Sequence, residues 1–434
     1  MPIPRRVPRR AVRGAVLALL LTALAAAVPQ APSGVHPPPG PDARAVRPPN
    51  PAAERTPGTD RSLGTDRSPT DGRPAGPAGT TPAEPTPTER TTPVPTTESL
   101  LLAGRRVVYS YSGAVPPPEL LRTISAGRAA GVILFKDNVA TPPQLQAAIA
   151  QLRQAAAAAP SGSPLLLMTD QEGGKVRRIN PGEPELSARA TGAAADPAGA
   201  AAHAGAGAAR TLRDAGLNVN LAPVLDVFDT PDNFIDHSER SYSRNPAVVA
   251  ELGSAFLRAQ QALGVLATAK HFPGLGAAAR EENTDERPVI LSVPLSDLRA
   301  RGEEPYRAAI AAGVRLVMTS WAVYPALDAY LPAGLSRTIV QGELRERLGF
   351  DGVTVTDALE AGALKAFGDV GDRAVAAADA GMDLLLCSAR DVRQGDAAVE
   401  ALATALDSGR LDATAFGEAV HRVDGLRASL ASGS

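Results

Sequence analysis

Cysteine is almost absent from the sequence, since Cys387 is the only one in 434 residues. An intramolecular disulfide therefore cannot form, and the fold must be held together by its hydrophobic core. The sequence also has no excess of basic residues: the first 99 residues carry 12 basic and 8 acidic side chains, and the remainder carries 32 and 38. A nucleic-acid-binding protein needs clustered positive charge. Nucleic acid is therefore not an expected partner.

Before residue 98 there is one long apolar run, from Ala15 to Val28, which follows a basic stretch and precedes small residues. This order is typical of a secretory signal peptide, and the run is shorter than a comfortable bilayer span. We assign residues 1–31 to a signal peptide with cleavage near Ala27 or Ala31. The prediction is a secreted or cell-wall-associated protein, with an uncleaved membrane anchor as the alternative. Paired arginines near the amino terminus also permit a twin-arginine export route.

Residues 32–97 lack apolar runs and are rich in Pro, Thr, Ser, Gly, Arg and Asp. Such a segment cannot bury a core, and stretches such as TTPAEPTPTERTTPVPTT favour extended backbone. We expect a disordered Pro/Thr-rich linker, of the kind that can hold a domain away from a surface or within a cell wall. The remaining residues, 98–434, are numerous enough to form a stable core without disulfides. We expect this domain to be a monomer.

From Val107 onward, short runs rich in Leu or β-branched residues alternate with Ala-rich amphipathic stretches, a pattern typical of βα units with a parallel sheet. The eight runs are VVYSYSG, GVILF, PLLLMTD, NVNLAPVLDV, LATAKHFPG, RLVMTSW, GVTVTD and MDLLLCS. Eight units predict a single closed (β/α)8 barrel of the TIM type. A doubly wound open sheet is the rival fold. After Ser388 we predict only helices that complete the outer ring.

Polar residues lie at the carboxyl ends of five predicted strands: Asp170, Asp226, Lys270 with His271, Ser320 and Asp357. In a barrel these ends converge on the face that carries the active site, which favours the barrel over the open sheet. Asp357 ends a buried strand in GFDGVTVTDALEAGAL, where its carboxylate can attack an anomeric carbon. The alternative is that Asp357 only caps the following helix.

Two further segments carry groups suited to sugar hydroxyls. TDQEGGKVRR places Asp170 before two glycines, which let the backbone turn sharply and leave the carboxylate free. KHFPG places the Lys270 ammonium beside the His271 imidazole in a chain with four lysines and forty arginines. A core histidine and a surface lysine are the alternatives for that pair. The loop containing Arg240 adds a guanidinium to the same rim.

Five segments in this order and spacing, DQEGGKVRR, NLAPVLDV, KHFPG, MTSWAVYPALD and GFDGVTVTDAL, resemble glycoside hydrolase family 3. They are most similar to the β-N-acetylhexosaminidase branch, which acts on N-acetylglucosamine in peptidoglycan fragments and chitooligosaccharides. The resemblance covers residues 101–430. It implies a carbohydrate substrate, no metal or organic cofactor, and a retaining mechanism with Asp357 as nucleophile. The family's sugar-binding positions correspond to Asp170, Arg178, Arg240, Lys270 and His271.

The loop after KHFPG departs from this branch, which normally carries an Asp-x-His dyad whose histidine protonates the leaving oxygen. Here the loop is LGAAAREENTDERPV, with Glu281 at the Asp position and Asn283 at the His position. No histidine lies between His271 and His421. Asparagine cannot exchange a proton at neutral pH. General acid catalysis, typically worth about 100- to 10,000-fold in rate, must therefore come from another group or be lost.

Three alternatives follow for the general acid. The loop itself offers the acidic residues Glu281, Glu282 and Asp285. One of these can supply the proton if burial beside Asp357 raises its pKa, although charged loop residues are usually just solvated. His237, after the fourth strand, can supply the proton from another direction. Otherwise the protein is a degenerate carbohydrate-binding protein. We favour the hydrolase because the nucleophile and the sugar-binding positions are retained.

A second departure is the pair Ser320-Trp321, where the family commonly has a His-containing segment. Trp321 is the only tryptophan. At a barrel mouth it can stack on the face of a sugar, or it can be buried between the barrel and its helices.

Overall fold

The computed structural model describes residues 94–431. The predicted signal peptide, residues 1–31, and almost all of the predicted linker, residues 32–97, lie outside the described residues. In the described part the first helix is α1 (Thr97–Gly104). Thr96 caps it, accepting a hydrogen bond from the Ser99 amide at 3.1 Å, and the Thr96 amide donates to the Asp407 carboxylate at 2.7 Å. None of the helices between residues 94 and 431 combines the length and apolar character needed to cross a membrane.

The described chain contains ten strands: β1 (Val107–Tyr109), β2 (Gly131–Ile133), β3 (Leu166–Thr169), β4 (Gln171–Gly173), β5 (Val176–Arg177), β6 (Val219–Asn220), β7 (Leu266–Phe272), β8 (Leu316–Thr319), β9 (Val353–Ala358) and β10 (Leu384–Leu386). All except β4 and β5 pair in parallel in chain order, and β1 closes the ring on β10. The predicted (β/α)8 barrel is confirmed, and the open sheet is wrong. Strands β4 and β5 form an antiparallel hairpin outside the barrel.

The other helices are α2 (Pro118–Ser125), α3 (Pro142–Ala157), α4 (Ala188–Gly192), α5 (Pro197–Ala215), α6 (Phe234–His237), α7 (Pro246–Gln261), α8 (Leu295–Asp297), α9 (Glu304–Ala311), α10 (Val370–Ala380), α11 (Val392–Asp407) and α12 (Ala413–Ala431). Two π-helical segments span Leu298–Gly302 and Thr338–Arg347.

The long helices begin and end where local chemistry dictates. Helices α3, α5 and α7 each start with Pro after a residue whose side chain accepts an amide hydrogen bond: Thr141, Asp196 and Asn245. Helices α5 and α10 end at Gly216 and Gly381, whose φ angles of 89° and 98° lie in the left-handed region that glycine adopts without strain. Glycine therefore ends both of these helices.

The barrel interior is filled by alternate strand residues, such as Leu166 and Met168 of β3, because successive side chains point to opposite faces of a strand. Val423 and Leu426 of α12 belong to the same buried cluster. The Arg427 side chain also donates to the carbonyls of Ser163 and Pro164, just before β3. Helix α12 thus closes the amino-terminal end of the barrel. The prediction that every helix after Ser388 joins the outer ring is wrong for α12, since its apolar side chains fill the base of the barrel.

Candidate active site

A cavity of 480 Å³ opens at the carboxyl-terminal mouth of the barrel. Its floor is the top layer of the barrel interior, where Leu221, Met318 and Leu386 belong both to the interior cluster and to the cavity lining. The charged or titratable residues of the lining are Lys136, Asp170, Glu172, Arg178, Arg240, Lys270, His271, Asp285, Asp357, Glu360 and Arg390. The cavity therefore gathers the five predicted sugar-binding residues with Asp357.

The segment that follows β3 and contains the β4–β5 hairpin brings two acids, Asp170 and Glu172, and one base, Arg178, to this cavity. Asp170 and Glu172 are two positions apart in extended chain, so their side chains share one side. Gly173 and Gly174 then turn the chain with φ angles of 116° and 55°. A Cβ at Gly173 would lie 2.3 Å from the Leu186 carbonyl oxygen, so no larger residue fits. The predicted sharp turn is present.

Five of these residues form what we call the mouth cluster: Asp170, Glu172, Arg178, Arg240 and Lys270. The Lys270 ammonium lies 2.7 Å from carboxylate oxygens of both Asp170 and Glu172. Arg240 donates two hydrogen bonds of 2.8 Å to Glu172, whereas Arg178 makes one contact of 3.4 Å to Asp170. The Lys270 side chain is only 2% exposed, so the prediction's alternative of a surface lysine is wrong.

The mouth cluster is fully ionised at neutral pH. Burial by itself would raise the pKa of Asp170, but Lys270 and Arg178 outweigh that effect and hold the pKa below its usual value. The pKa of Glu172 is also lowered: the attraction of Arg240 and Lys270 exceeds the cost of burial. Burial would lower the pKa of Lys270, yet the two carboxylates raise it. The cluster therefore presents fixed charges to the cavity at any physiological pH.

His271 is oriented from behind by Asp226. Its Nδ1 lies 2.7 Å from the Asp226 carboxylate, which also accepts the Leu275 amide at 2.7 Å. The His271 Nε2 lies 3.4 Å from an Arg240 nitrogen. Asp226 is completely buried and does not line the cavity. The prediction that Asp226 lies on the rim of the site is wrong. Both of its carboxylate oxygens are occupied by hydrogen bonds to His271 and to the loop after β7.

Asp357 is the second-to-last residue of β9 and lines the cavity, and its Oδ1 accepts the amide of Ala358 at 2.7 Å. The helical segments that follow begin after Ala361 and after Asp369. Asp357 therefore does not cap a helix, and that alternative is wrong.

Asp285 is the only one of the three acidic candidates in the loop after β7 that lines the cavity. The Gly362 amide donates to the Asp285 carbonyl at 2.7 Å, and the Ala363 amide donates to the Thr284 carbonyl at 3.0 Å. These bonds fasten the loop to the segment that follows Asp357. Glu281 is exposed, and Glu282 accepts the Ala279 amide at 2.7 Å beside a different cavity.

The environment of Asp285 changes its acidity. Burial and the neighbouring Asp357 carboxylate raise the pKa of Asp285 to about 6, against the opposing attraction of His271 and Arg240. The residue as a whole is exposed, as Glu281 is, and it differs from Glu281 in lining the cavity. Asn283 also lines the cavity and accepts the Asp285 amide at 3.0 Å. An acid of raised pKa thus lies two residues beyond Asn283 at the cavity.

The remaining candidates lie away from the cavity. His237 does not line it, and its Nδ1 contacts the exposed Asp232 carboxylate at 2.8 Å. Trp321 is completely buried, and its Nε1 donates to the Ala358 carbonyl at 2.9 Å. Stacking of Trp321 on a sugar is therefore wrong. The Ser320 hydroxyl is buried against the Tyr324 hydroxyl at 2.9 Å.

Sequence reasoning missed several cavity residues: Lys136, Glu172, Glu360, Ser388 and Arg390. Glu172 could have been found from its i, i+2 relation to Asp170. Lys136 and Arg390 follow strand ends, so the barrel geometry was a signal for both. The sequence predicted Ser388 only as the end of the last strand. No local sequence pattern indicates that Glu360 lines the cavity. Within residues 94–431, no group of three or more His, Cys, Asp or Glu side chains is arranged to hold a metal ion.

Comparison with known proteins decides the family. The profile described as "Glycosyl hydrolase family 3 N terminal domain" matches residues 116–426. The chain belongs to glycoside hydrolase family 3. This family 3 protein is therefore a glycosidase, and the resemblance found in its motifs is confirmed.

Relatives with recorded names agree with this assignment. An "Uncharacterized secreted glycosyl hydrolase" of Arthroderma benhamiae is 48% identical over 332 residues, which cover 76% of this chain and 93% of the relative. A "Beta-hexosaminidase" of Stenotrophomonas maltophilia is 40% identical over 263 residues, which cover 59% of this chain and 75% of the relative. The named relatives thus place the family 3 chain beside β-hexosaminidases.

A solved β-N-acetylglucosaminidase of family 3 from Paenibacillus has a TM-score of 0.72 and 36% identity, covering 77% of this chain. This chain spans only 63% of that protein. A β-N-acetylhexosaminidase from Beutenbergia cavernae has a TM-score of 0.69 and 33% identity, and the match covers 76% of this chain and 98% of that structure. The family 3 barrel is therefore shared by sequence and by structure.

Proposed function

We propose that this family 3 protein is a secreted β-N-acetylhexosaminidase that removes terminal β-linked N-acetylglucosamine from peptidoglycan fragments or chitooligosaccharides with retention of configuration. The names of the Stenotrophomonas and Paenibacillus relatives support the choice of sugar. The observation that carries the proposal is that Asp285, with its raised pKa, and Asp357 line the same cavity as the mouth cluster.

The mouth cluster acts as the sugar-binding site. Its charges are already paired with one another, so their remaining hydrogen-bonding capacity is directed at the cavity. Arg178 retains a buried Nε with no partner among the described residues. Carboxylate, guanidinium and ammonium groups at fixed positions hold ring hydroxyls by charge-assisted hydrogen bonds. The ring is thereby held with C1 toward Asp357, which converts the attack into an intramolecular step.

Cleavage proceeds in two displacements. In the first, an Asp357 oxygen bonds to C1 while the C1–oxygen bond to the leaving group breaks, and the Asp285 proton passes to the leaving oxygen. In the second, Asp285 takes a proton from water, the water oxygen bonds to C1, and the Asp357–C1 bond breaks. Both carboxyl groups are then restored. A pKa near 6 suits Asp285 for both roles close to neutral pH.

The test compares release of nitrophenol from p-nitrophenyl N-acetyl-β-glucosaminide with hydrolysis of chitobiose. Asp357→Asn is expected to lower turnover of both substrates by at least about 1,000-fold. Asp285→Asn is expected to fail on chitobiose, whose leaving group needs a proton, yet to keep much of its kcat/KM on the activated substrate, because kcat/KM there reports the first displacement, while kcat falls for want of the base in the second. Glu281→Gln and Glu282→Gln are the matched controls and should resemble wild type.

A catalytically degenerate sugar-binding protein is the second candidate, and Asn283 at the histidine position favours it. Wild type that binds N-acetylglucosamine but hydrolyses neither substrate would replace the hydrolase with this binding protein. NMR observation of the first-formed product tests the stereochemistry: an α-anomer would contradict the retaining mechanism.

Secretion is supported by the amino-terminal sequence pattern and by the name of the Arthroderma relative. Mass spectrometry of protein from the culture medium tests it. A new amino terminus near Ala27 or Ala31 is expected. An intact amino terminus in the membrane fraction would support the anchor instead.

A further inference from the structure

The cavity has a second polar wall that the proposed mechanism does not use. The mouth cluster comes from the loops after β3, β6 and β7. On the opposite arc of the barrel lie Glu360, three residues after Asp357, and Ser388, which follows β10. We call Glu360 and Ser388 the second wall.

Glu360 is held in place by hydrogen bonds to its carboxylate. Its Oε2 accepts the Ser388 amide at 3.2 Å and the Gln394 side-chain amide at 3.0 Å, and the backbone amide of Glu360 also bonds to the carboxylate. Burial raises the pKa of this carboxyl, even though the Gln394 hydrogen bond favours its ionised form. Glu360 is therefore a positioned carboxyl group in the cavity wall, with lone pairs beyond these three bonds that can accept from a ligand.

Ser388 supplies an independent observation. Its side chain lines the cavity, the residue is only 8% exposed, and its hydroxyl has no hydrogen-bond partner within the described part of the chain. Buried hydroxyl groups are rarely left unpaired, because the lost hydration is not recovered. The unpaired Ser388 hydroxyl and the Glu360 carboxyl are neighbours, because the Ser388 amide donates to Glu360 Oε2 at 3.2 Å.

The exposed fractions of the side chains around the cavity indicate which part of a substrate contacts the second wall. Lys270 in the mouth cluster has a side chain 2% exposed, whereas Arg390, two residues beyond Ser388, has one 51% exposed. Lys136, which also lines this side, is exposed. The mouth cluster thus encloses one sugar ring, and the second wall leads from the cavity floor to solvent. Whatever is attached to that ring leaves the enclosed part along the second wall.

We propose that Glu360 and Ser388 bind the sugar on the leaving-group side of the cleaved bond, and that this contact makes the protein prefer glycan over simple aryl leaving groups. One hydroxyl of that sugar donates to the Glu360 carboxyl, and another pairs with the Ser388 hydroxyl. The inference rests on the proposed function, because it assumes that the mouth cluster holds the terminal ring. A p-nitrophenyl group has no hydroxyl to offer either residue.

The kinetic test measures kcat/KM for chitobiose and for p-nitrophenyl N-acetyl-β-glucosaminide in wild type, Ser388→Ala and Glu360→Gln. Each variant is expected to lose about ten-fold or more on chitobiose and less than about two-fold on the aryl substrate. Glu400→Gln, which makes the same charge change on the exposed face of α11, is the control and should change neither value. Equal losses on both substrates, or no loss on either, would overturn the inference.

A pH profile separates binding from proton transfer. Glu360→Gln is expected to keep the decline of kcat/KM for chitobiose above about pH 6 that Asp285 imposes. Loss of that decline would make Glu360 the general acid and would overturn its binding role.

A binding measurement keeps the inference testable apart from catalysis. In the Asp357→Asn background, Ser388→Ala is expected to lower the affinity for chitobiose about ten-fold while leaving the affinity for N-acetylglucosamine unchanged. Calorimetry gives both values. If wild type hydrolyses nothing but this selective loss appears, the proposed function fails and the second wall stands. If the affinities for chitobiose and for N-acetylglucosamine fall together, the proposed binding role of the second wall is contradicted.

Discussion

Both ends of this barrel bury acids among arginines, yet only one end is arranged to do chemistry. At the amino-terminal end Asp383 is completely buried and accepts hydrogen bonds from Arg345 at 2.6 Å, from Arg422 at 3.0 Å and from the Thr354 amide at 2.8 Å. We call Asp383, Arg345 and Arg422 the base cluster. The mouth cluster uses the same residue types with similarly short contacts, but it borders a cavity of 480 Å³.

The difference lies in the cavity and not in unpaired nitrogen, because the Nε atoms of Arg345 in the base cluster and Arg178 in the mouth cluster are both buried without a partner in the described part of the chain. In the base cluster both oxygens of Asp383 are taken by the protein itself, and α12 closes that end. In the mouth cluster, Arg178 makes one contact of 3.4 Å and leaves its Nε without a partner in the described part of the chain. Buried ion pairs therefore do not identify a site by themselves. A site is identified by unused hydrogen-bonding capacity beside an open cavity.

The largest expected effect is at the base cluster. Asp383→Ala leaves two partly buried arginines without their acid, which should lower the free energy of unfolding by about 3 kcal/mol. Denaturant unfolding measures this change. The folded fraction should keep wild-type kcat/KM on the aryl substrate. Asp424→Ala, which removes a half-exposed acid from the same helix as Arg422, should cost less than about 1 kcal/mol. A loss of activity without a loss of stability would contradict the structural role.

Arg178→Ala is expected to lower activity and leave stability nearly unchanged, the opposite of Asp383→Ala. Loss of charged hydrogen bonds to the substrate, worth about 1.5–3 kcal/mol, should lower kcat/KM about 100-fold. The free energy of unfolding should fall by less than about 1 kcal/mol, because the one ion pair lost is long and partly exposed. The neighbouring Arg177 donates to the Gly182 carbonyl at 2.8 Å and does not line the cavity. Arg177→Ala should therefore affect stability but not kcat/KM, and equal kinetic effects of the two variants would refute the distinction.

Asp285 adds a dependence on pH that neither cluster shows. Its pKa is raised to about 6, and the proton must be present for catalysis. Activity on chitobiose should therefore decline above about pH 6, about ten-fold per pH unit. Asp285→Asn should abolish this decline. Because the folded-state pKa exceeds the unfolded value, stability falls as the pH rises from the unfolded pKa of 3.8 to about 6, and the loss persists at higher pH. Asp285→Asn should accordingly raise the Tm at pH 7, and an unchanged profile and Tm would exclude the shifted pKa.

Trp321 gives the smallest expected effect, and it shows that the mouth also contains purely structural contacts. Trp321→Phe removes the hydrogen bond to the Ala358 carbonyl, at a cost of about 1 kcal/mol in the free energy of unfolding. The KM for the aryl substrate should stay the same. A raised KM with unchanged stability would instead indicate contact with the sugar.

The barrel was predictable because its pattern is repeated: eight buried runs separated by helical stretches indicate one topology. The closure of the barrel base by α12 was not predictable, because the apolar faces of α12 and of an outer-ring helix have the same periodicity. The two kinds of helix differ only in what their apolar face packs against, and that is determined by the tertiary fold.

The candidate site was predictable as far as strand ends define it. Asp170, Lys270, His271 and Asp357 follow strands that converge on the mouth. Glu281, Glu282 and Asp285 were equivalent in the sequence, since all three are acids in one polar loop. Two main-chain hydrogen bonds from the segment after β9 place Asp285 at the cavity, and sequence motifs do not encode such long-range backbone pairing.

Those two bonds, from Gly362 and Ala363 to the loop, couple the mobility of Asp285 to that of the Asp357 segment. The loop cannot lift away without exposing both amides to water, so their rates of hydrogen exchange report directly on opening of the site. Side chains along the loop do not make these bonds. Replacements of loop side chains can therefore leave both bonds intact and Asp285 at the cavity.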